Sequence, residues 1–296
     1  MKSNDEVKGI SFIVLATLSH GLYGIFSRII GIEFGQIFQI VARSSILLLF
    51  FTVLIVHQKS WKKINKQDYK WFVLMIMPGL VALASMFTAF NYLSLGTVLF
   101  TYYAVSTLGS YLLGFFLFKE KFTKVKIISL VLSLIGLYIV FFDSFRLDNV
   151  LYLFLACVAG LGASAWNVIS KKISDKYSVN QILIMDSLLM VVAGLPIALI
   201  LKENISFPNF SLPWLGILGY SIAAIGSSIF TIKGFKYLQA QIGSLIMLLE
   251  PIFGTFIGWI VYREILTRNF IFGATIVLIG IALPNLQNFN RRPIQP

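Results

Sequence analysis

Ten apolar runs divide this chain, each near the roughly 20 residues a helix needs to cross the hydrocarbon of a bilayer. They lie at 9–30, 36–56, 71–93, 97–118, 125–143, 149–170, 180–201, 213–235, 241–262 and 269–286. The longest segment between them is about a dozen residues, which leaves no room for a soluble domain. The chain is 58% hydrophobic and only 12% charged, with mean hydropathy +0.86. Soluble domains run near 25% charged. In hydrocarbon every backbone polar group needs a partner inside the protein, and runs of this length meet that need as helices. The expected fold class is an all-α integral membrane protein with the lipid bilayer as its constant partner. The first run has no small-residue cleavage site behind it, so it reads as a retained helix rather than a signal peptide. A single cysteine, Cys157, excludes an internal disulfide.

The formal charge of +12 is not spread evenly. With the N-terminus placed in the cytoplasm, 18 of the 24 basic residues fall on inner segments. They include Lys2 and Lys8, Lys59–Lys70, Lys119–Lys126, Lys171–Lys176, Lys233, Lys236, Arg291 and Arg292. The outer segments hold Arg28, Arg146, Lys202, Arg263 and Arg268, and Arg43 lies inside a span. Cytoplasmic loops of membrane proteins carry such an excess. The expectation is ten transmembrane helices with both termini cytoplasmic. The basic excess then sets orientation, and no nucleic-acid partner is expected.

The two halves resemble each other. FLFKEKFT, Phe116 to Thr123, matches IVYREILT, Ile260 to Thr267, at an offset of 144. At that offset Gly114 meets Gly258 and Gly136 meets Gly280. At 143, Tyr23 meets Trp166 and SRIIG meets SKKIS. Each half holds five spans, an odd number, so the second copy enters the membrane upside down. Two inverted five-helix repeats, 1–146 and 147–296, are a recurring build of secondary transporters.

GASAWNVISKK, LLEPIFGTFIGWIVYREILT and FGATIVLIGIAL resemble the second repeat of EamA-type members of the drug/metabolite transporter superfamily. VARSSILLLF and LGSYLLGFFLFKEKFTKVKIISLVLSLIGLYIV resemble the first. The resemblance covers nearly the whole chain. It implies a ten-helix transporter with a central cavity flanked by the outermost fifth and tenth helices. Four residues depart from the family pattern: Ser106 and Thr107 replace a proline-containing turn, Tyr23 stands at a common tryptophan, and His20 is unusual there.

Ionisable and aromatic residues inside the spans are the candidates for a substrate site, because a charge in hydrocarbon is costly and persists where it has a use. Glu250 lies about nine residues into its span and His20 about ten into the first, both near the midplane by the helical rise. Arg43 is about seven residues from the outer face and Asp186 about six from the inner. The repeat sets Arg43 opposite Asp186 and Ser106 opposite Glu250. Tyr102 and Tyr103 fall in the inner half to middle of the fourth span, and being adjacent they point to different sides. Trp166 and Asn167 lie near the inner end of theirs. Each has a structural alternative: an interhelical hydrogen bond for Glu250 and His20, carbonyl capping or an acid partner for Arg43, snorkelling for Asp186, packing or interfacial anchoring for the aromatics and Asn167. Pro251 beside Glu250 frees a carbonyl. The small-residue spacing Gly254–Gly258 lets a neighbouring helix come close enough to shelter it. Thr123 and Thr267 sit where helix N-caps belong.

No nucleotide-binding loop, zinc-ligand cluster or cofactor motif is present in the sequence. The expected function is secondary active transport of a small metabolite across the bacterial inner membrane by alternating access, with a coupling proton or counter-substrate. Amino acids or related compounds lead, by resemblance. An exchanger of nucleotide-like metabolites is the alternative within the class. A lipid-acting intramembrane enzyme would need its polar groups clustered at one face, and here they are dispersed in depth. A channel fits the inverted repeat less well.

Overall fold

A computed structural model describes residues 3–30, 33–147 and 149–290. Lys2, Arg291 and Arg292, counted above with the inner charges, lie outside the described residues. The helices are α1 (Ser3–Gly21), α2 (Tyr23–Ile30), α3 (Gln36–Gln58), α4 (Tyr69–Tyr92), α5 (Leu95–Phe118), α6 (Lys124–Phe141), α7 (Val150–Ser174), α8 (Val179–Ile200), α9 (Leu212–Tyr237), α10 (Ala240–Met247), α11 (Leu249–Tyr262) and α12 (Arg268–Asn290). Among the described residues there is no strand. Among the described residues nine helical stretches are long and apolar enough to cross a membrane, with α1–α2 and α10–α11 each forming one of them. The tenth run falls in α12, whose apolar part, Arg268–Pro284, is shorter.

Local chemistry explains where the helices begin. Ser94, Thr123, Asn149 and Ser178 each accept a hydrogen bond from a backbone N–H of the first turn they precede, and Thr267 does the same for Phe270. Such caps are worth about 1 kcal/mol each. Four non-glycine residues take the left-handed conformation: Lys59, Lys119, Lys202 and Arg263, at φ 48°, 54°, 52° and 55°. That geometry costs an L-residue roughly 1–2 kcal/mol. They fall into two pairs spaced by 143 and 144, the offsets of the sequence repeat. The backbone therefore turns in the same way at matching points of both halves.

The most extensive packing joins one half to the other: α6 on α12, α3 on α8, α4 on α7, α5 on α7, and α1–α2 on α9. Two large buried cores, one around α3 and α8 and one around α5 and α10, and a smaller one of Ala89, Leu93, Val98 and Ala156 fill the spaces between them. The α6–α12 pair is close, since a Cβ on Gly273 would stand 2.6 Å from the Gly136 carbonyl oxygen. This pair supplies none of the candidate site residues.

Two spans are broken. The first breaks at Leu22, between α1 and α2, and the ninth at Leu248, between α10 and α11. The second break follows from Pro251, whose missing N–H cannot bond the Met247 carbonyl one turn before it. The broken spans cross with Gly21 against Gly254. A Cβ on Gly254 would find nothing nearer than 3.9 Å, the closest atoms being those of Gly21.

Candidate functional site

At this crossing the last turn of α1 presents His20 and the first turn of α11 presents Glu250. The His20 Nδ1 stands 3.3 Å from the Glu250 Oε2, with the side chains 17% and 20% exposed. Nδ1 lacks hydrogen-bond geometry toward any partner among the described residues, so this is an electrostatic approach rather than a bond. Placing the carboxylate in the first turn of α11 puts it at the positive end of that helix dipole. This answers how a carboxylate and a proline share the middle of a span: the helix stops there, and the carboxylate faces other protein groups.

A wall of aromatic rings runs away from His20. The Tyr23 ring meets it edge-on at 5.0 Å and stacks on Tyr220 at 4.1 Å. The guanidinium of Arg43 lies 4.0 Å above the opposite partner, the Tyr220 ring. Such a contact contributes about 0.5–2 kcal/mol depending on desolvation. Arg43 also donates Nε to the Gln39 carbonyl at 3.1 Å and is 8% exposed. The Tyr23 hydroxyl bonds the Ser227 hydroxyl at 2.5 Å. Tyr102 and Tyr103 on α5 meet edge to face at 5.0 Å, and Tyr103 lies in the electrostatic neighbourhood of Glu250. Tyr102 also lies in the electrostatic neighbourhood of Glu250. Adjacent helical residues are about 100° apart rather than opposite, which lets both rings flank one carboxylate.

Trp166 and Asp186 form a separate contact between α7 and α8. The indole Nε1 donates to Asp186 Oδ1 at 3.1 Å, and this is the carboxylate's only hydrogen bond among the described residues. The side chain of Asn167 makes no such contact; its carbonyl accepts from Ser170. The site thus gathers His20, Arg43, Tyr102, Tyr103 and Glu250, while Trp166 and Asp186 pair apart from them.

The sequence pattern of the EamA-like transporter family matches this chain twice, over residues 7–142 and 150–286. The chain belongs to that family. It is 28% identical over 201 residues to an uncharacterized transporter of Clostridium kluyveri, covering 63% of this chain and 61% of that protein. The chain therefore spans about three fifths of the length of that curated relative. A protein of known crystal structure shares the fold, with a TM-score of 0.82, 16% identity, and coverage of 97% of this chain and 99% of the other. With these matches, the helices describe an all-α membrane protein.

Matching positions of the two EamA repeats carry the same ion pair at opposite ends of the bundle. Lys171 pairs with Glu120, and Arg28 pairs with Glu264, at offsets of 143 and 144. Their surroundings differ. Glu120 is buried and accepts from the Ala240 N–H at 2.7 Å, the Gln241 N–H at 3.1 Å and Lys171 at 3.2 Å. Lys171 also donates to the Leu238 carbonyl at 2.7 Å. Glu264 and Arg28 are 38% and 55% exposed.

Tyr220 and Ser227 were not among the sequence-derived candidates, and Tyr23 entered only as a departure from the family pattern. A signal existed. Tyr23 follows His20 by three residues, and Tyr220 and Ser227 are seven apart, on one face of α9.

Proposed function

We propose that this chain is a secondary carrier for a small zwitterionic metabolite, an amino acid or a related compound. The observation that supports this reading most is the line Glu250–His20–Tyr23–Tyr220–Arg43. A carboxylate and a guanidinium stand at its two ends, with aromatic faces between them. A substrate ammonium suits the Glu250 end. A substrate carboxylate suits Arg43, whose planar fork bonds it at two points. The tyrosines would hold the apolar part of the solute. Binding where broken helices meet at a repeat interface is how carriers with inverted repeats work.

In this reading ten helices cross the bacterial inner membrane as two inverted repeats, 1–146 and 147–296, with both termini cytoplasmic. The Lys171–Glu120 pair then closes the cytoplasmic end, and the exposed Arg28–Glu264 pair marks the outer end. Transport alternates by burying one pair while freeing the other. A proton or a counter-substrate supplies the drive, and Glu250 and Asp186 are the carboxylates inside the bundle available to respond to it.

Proteoliposomes loaded with unlabelled amino acids and offered a labelled mixture of them test the proposal. Saturable counterflow, lost on Glu250→Gln or Arg43→Ala with equal incorporation, is the expected result. Counterflow no greater than in empty liposomes would sink the substrate class.

A further inference from the structure

A polar cavity lies away from the site, at the end of the bundle where α5, α7 and α10 meet the start of α6. Its volume is about 530 Å3. Lys119, Lys121, Lys126 and Lys171 line it, with Glu120 as the carboxylate among them. Glu120 is already committed to two backbone N–H groups and to Lys171. Lys126 is 7% exposed, yet its ammonium donates to neutral groups, the Gln241 Oε1 at 2.6 Å and the Lys121 carbonyl at 3.2 Å. Lys119 and Lys121 form no ion pair among the described residues. The pocket therefore holds four ammonium groups against one carboxylate, and one of the four, Lys126, is buried with no direct ion pair, sharing the field of Glu120 with Lys171. Burial of an unpaired charge is unfavourable unless an opposite charge joins it.

The wall of the cavity is apolar on one side, where Phe118 and Ile242 stand. Beyond Phe118 the outer surface continues as Phe115, Phe116 and Phe122, which are 44%, 71% and 42% exposed. Phenylalanine rings have no polar tip and are favoured in hydrocarbon, so this surface suits acyl chains. A ligand that fits both faces is anionic at one end and apolar at the other.

We propose that this cavity binds the phosphate of an anionic phospholipid headgroup, with the acyl chains lying along the exposed phenylalanines. Basic pockets between helices at a membrane face take such headgroups. The proposal does not depend on what the central site carries.

The test uses the purified full chain and three additions: phosphatidylcholine vesicles, the same vesicles with phosphatidylglycerol, and inorganic phosphate alone. Thermal unfolding and lipid retention in native mass spectrometry are the readouts. Phosphatidylglycerol should raise the unfolding temperature and remain bound, while phosphatidylcholine does neither. The double variant Lys119→Gln/Lys121→Gln removes two exposed lysines that hold nothing else together. It should weaken retention roughly fivefold per lysine. The control Lys63→Gln/Lys66→Gln, in another basic loop, should leave retention unchanged. Equal retention by the parent and the first variant overturns the site. An equal loss in the control overturns it too, because diffuse charge would then explain binding. A full thermal shift with inorganic phosphate alone would assign the pocket to a free anion and overturn the lipid.

Discussion

Two crossings in this molecule are related by the repeat, and they have become different things. At one, α1–α2 meets α10–α11, both spans are broken, and a Cβ on Gly254 would find its nearest neighbours at 3.9 Å, although one on Gly21 would stand 3.1 Å from the Gly254 nitrogen. At the other, α7 meets α5, both helices run unbroken, and a Cβ on Gly160 would stand 2.7 Å from the Tyr102 carbonyl oxygen. The repeat sets Ala163 where the first crossing has His20, and Ser106 where it has Glu250. Beyond the second crossing α7 packs on α9, whereas the counterpart pair, α1–α2 and α4, has no packing of like extent. The shared ancestry of the two halves gives the same path of the chain. Proline, glycine and a few polar replacements then leave one crossing broken and polar and the other continuous and tightly packed.

The ends follow the same division, and this yields the largest expected effect. Glu120→Ala removes the partner of Lys171 and of two backbone N–H groups in a buried setting. Breaking a buried pair from one side costs about 3–5 kcal/mol. Glu264→Ala breaks the exposed counterpart, where about 0–1 kcal/mol is expected. Thermal unfolding of both variants in one detergent compares them directly. Equal losses would mean that the two ends are energetically alike and that burial does not separate them.

The crossings themselves can be tested next. Gly160→Ala forces a methyl group against backbone, and overpacking of this kind costs about 1–3 kcal/mol. Gly254→Ala places the same group in ordinary van der Waals contact with Gly21 and should stay within about 0.5 kcal/mol of the parent. The stability difference between the two variants measures how much tighter the second crossing is. A reversed order would refute the assignment of loosely and tightly packed crossings.

Arg43→Lys sharpens the comparison within the polar region. Lysine keeps the charge and loses the flat stack on Tyr220, a contact of about 0.5–2 kcal/mol. If Arg43 holds the substrate, affinity for the transported amino acid falls while the unfolding temperature barely moves. Unchanged affinity with a lowered unfolding temperature would leave Arg43 as a structural clamp. Isothermal titration and thermal unfolding on one preparation separate these outcomes.

Much of this arrangement was legible in the sequence. Apolar length placed the spans, and the caps Thr123 and Thr267 follow from residue type beside an apolar run. Pro251 marked the place where the ninth span breaks. The break at Leu22 has no proline to announce it, and there the chain turns where Gly21 lies against α11. The partners of Glu120 and Glu264 were hidden for another reason. Lys171 is 51 residues from Glu120 and Arg28 is 236 from Glu264, so only the folded chain brings them together. Tyr220 was missed because a lone tyrosine in an apolar helix looks the same whether it packs or lines a site. Its meaning came from Tyr23 on one face and Arg43 on the other.

The smallest effect belongs to a clasp at the basic end. Asp68 accepts from the Lys176 Nζ at 2.8 Å and from the Tyr177 hydroxyl at 2.9 Å, tying the start of α4 to the segment after α7. At the opposite end the repeat puts Ser211, Glu33 and Phe34 in these places, and Phe34 instead rests edge-on against Trp214 at 5.4 Å. One clasp is ionic and the other apolar, so only one should sense pH. The hydrogen bond to Asp68 holds the Lys176 ammonium above its ordinary value of 10.5, outweighing partial desolvation. A pKa raised in the folded state adds stability that is fully present below the unfolded value and is lost as pH rises through the folded one. The contribution is therefore constant through neutral pH, fades in strong alkali as Lys176 loses its proton, and fades in acid as Asp68, held below its ordinary value by the same contact, gains one. Lys176 is 60% exposed, which keeps it small. Lys176→Met should lower the unfolding temperature slightly and by the same amount from pH 6 to about 9, with the gap closing above about 10.5. Trp214→Leu, at the apolar clasp, should give a gap that does not change with pH over the same range. A Lys176→Met gap that stayed open in alkali would show that the lysine stem, and not its charge, makes the contact.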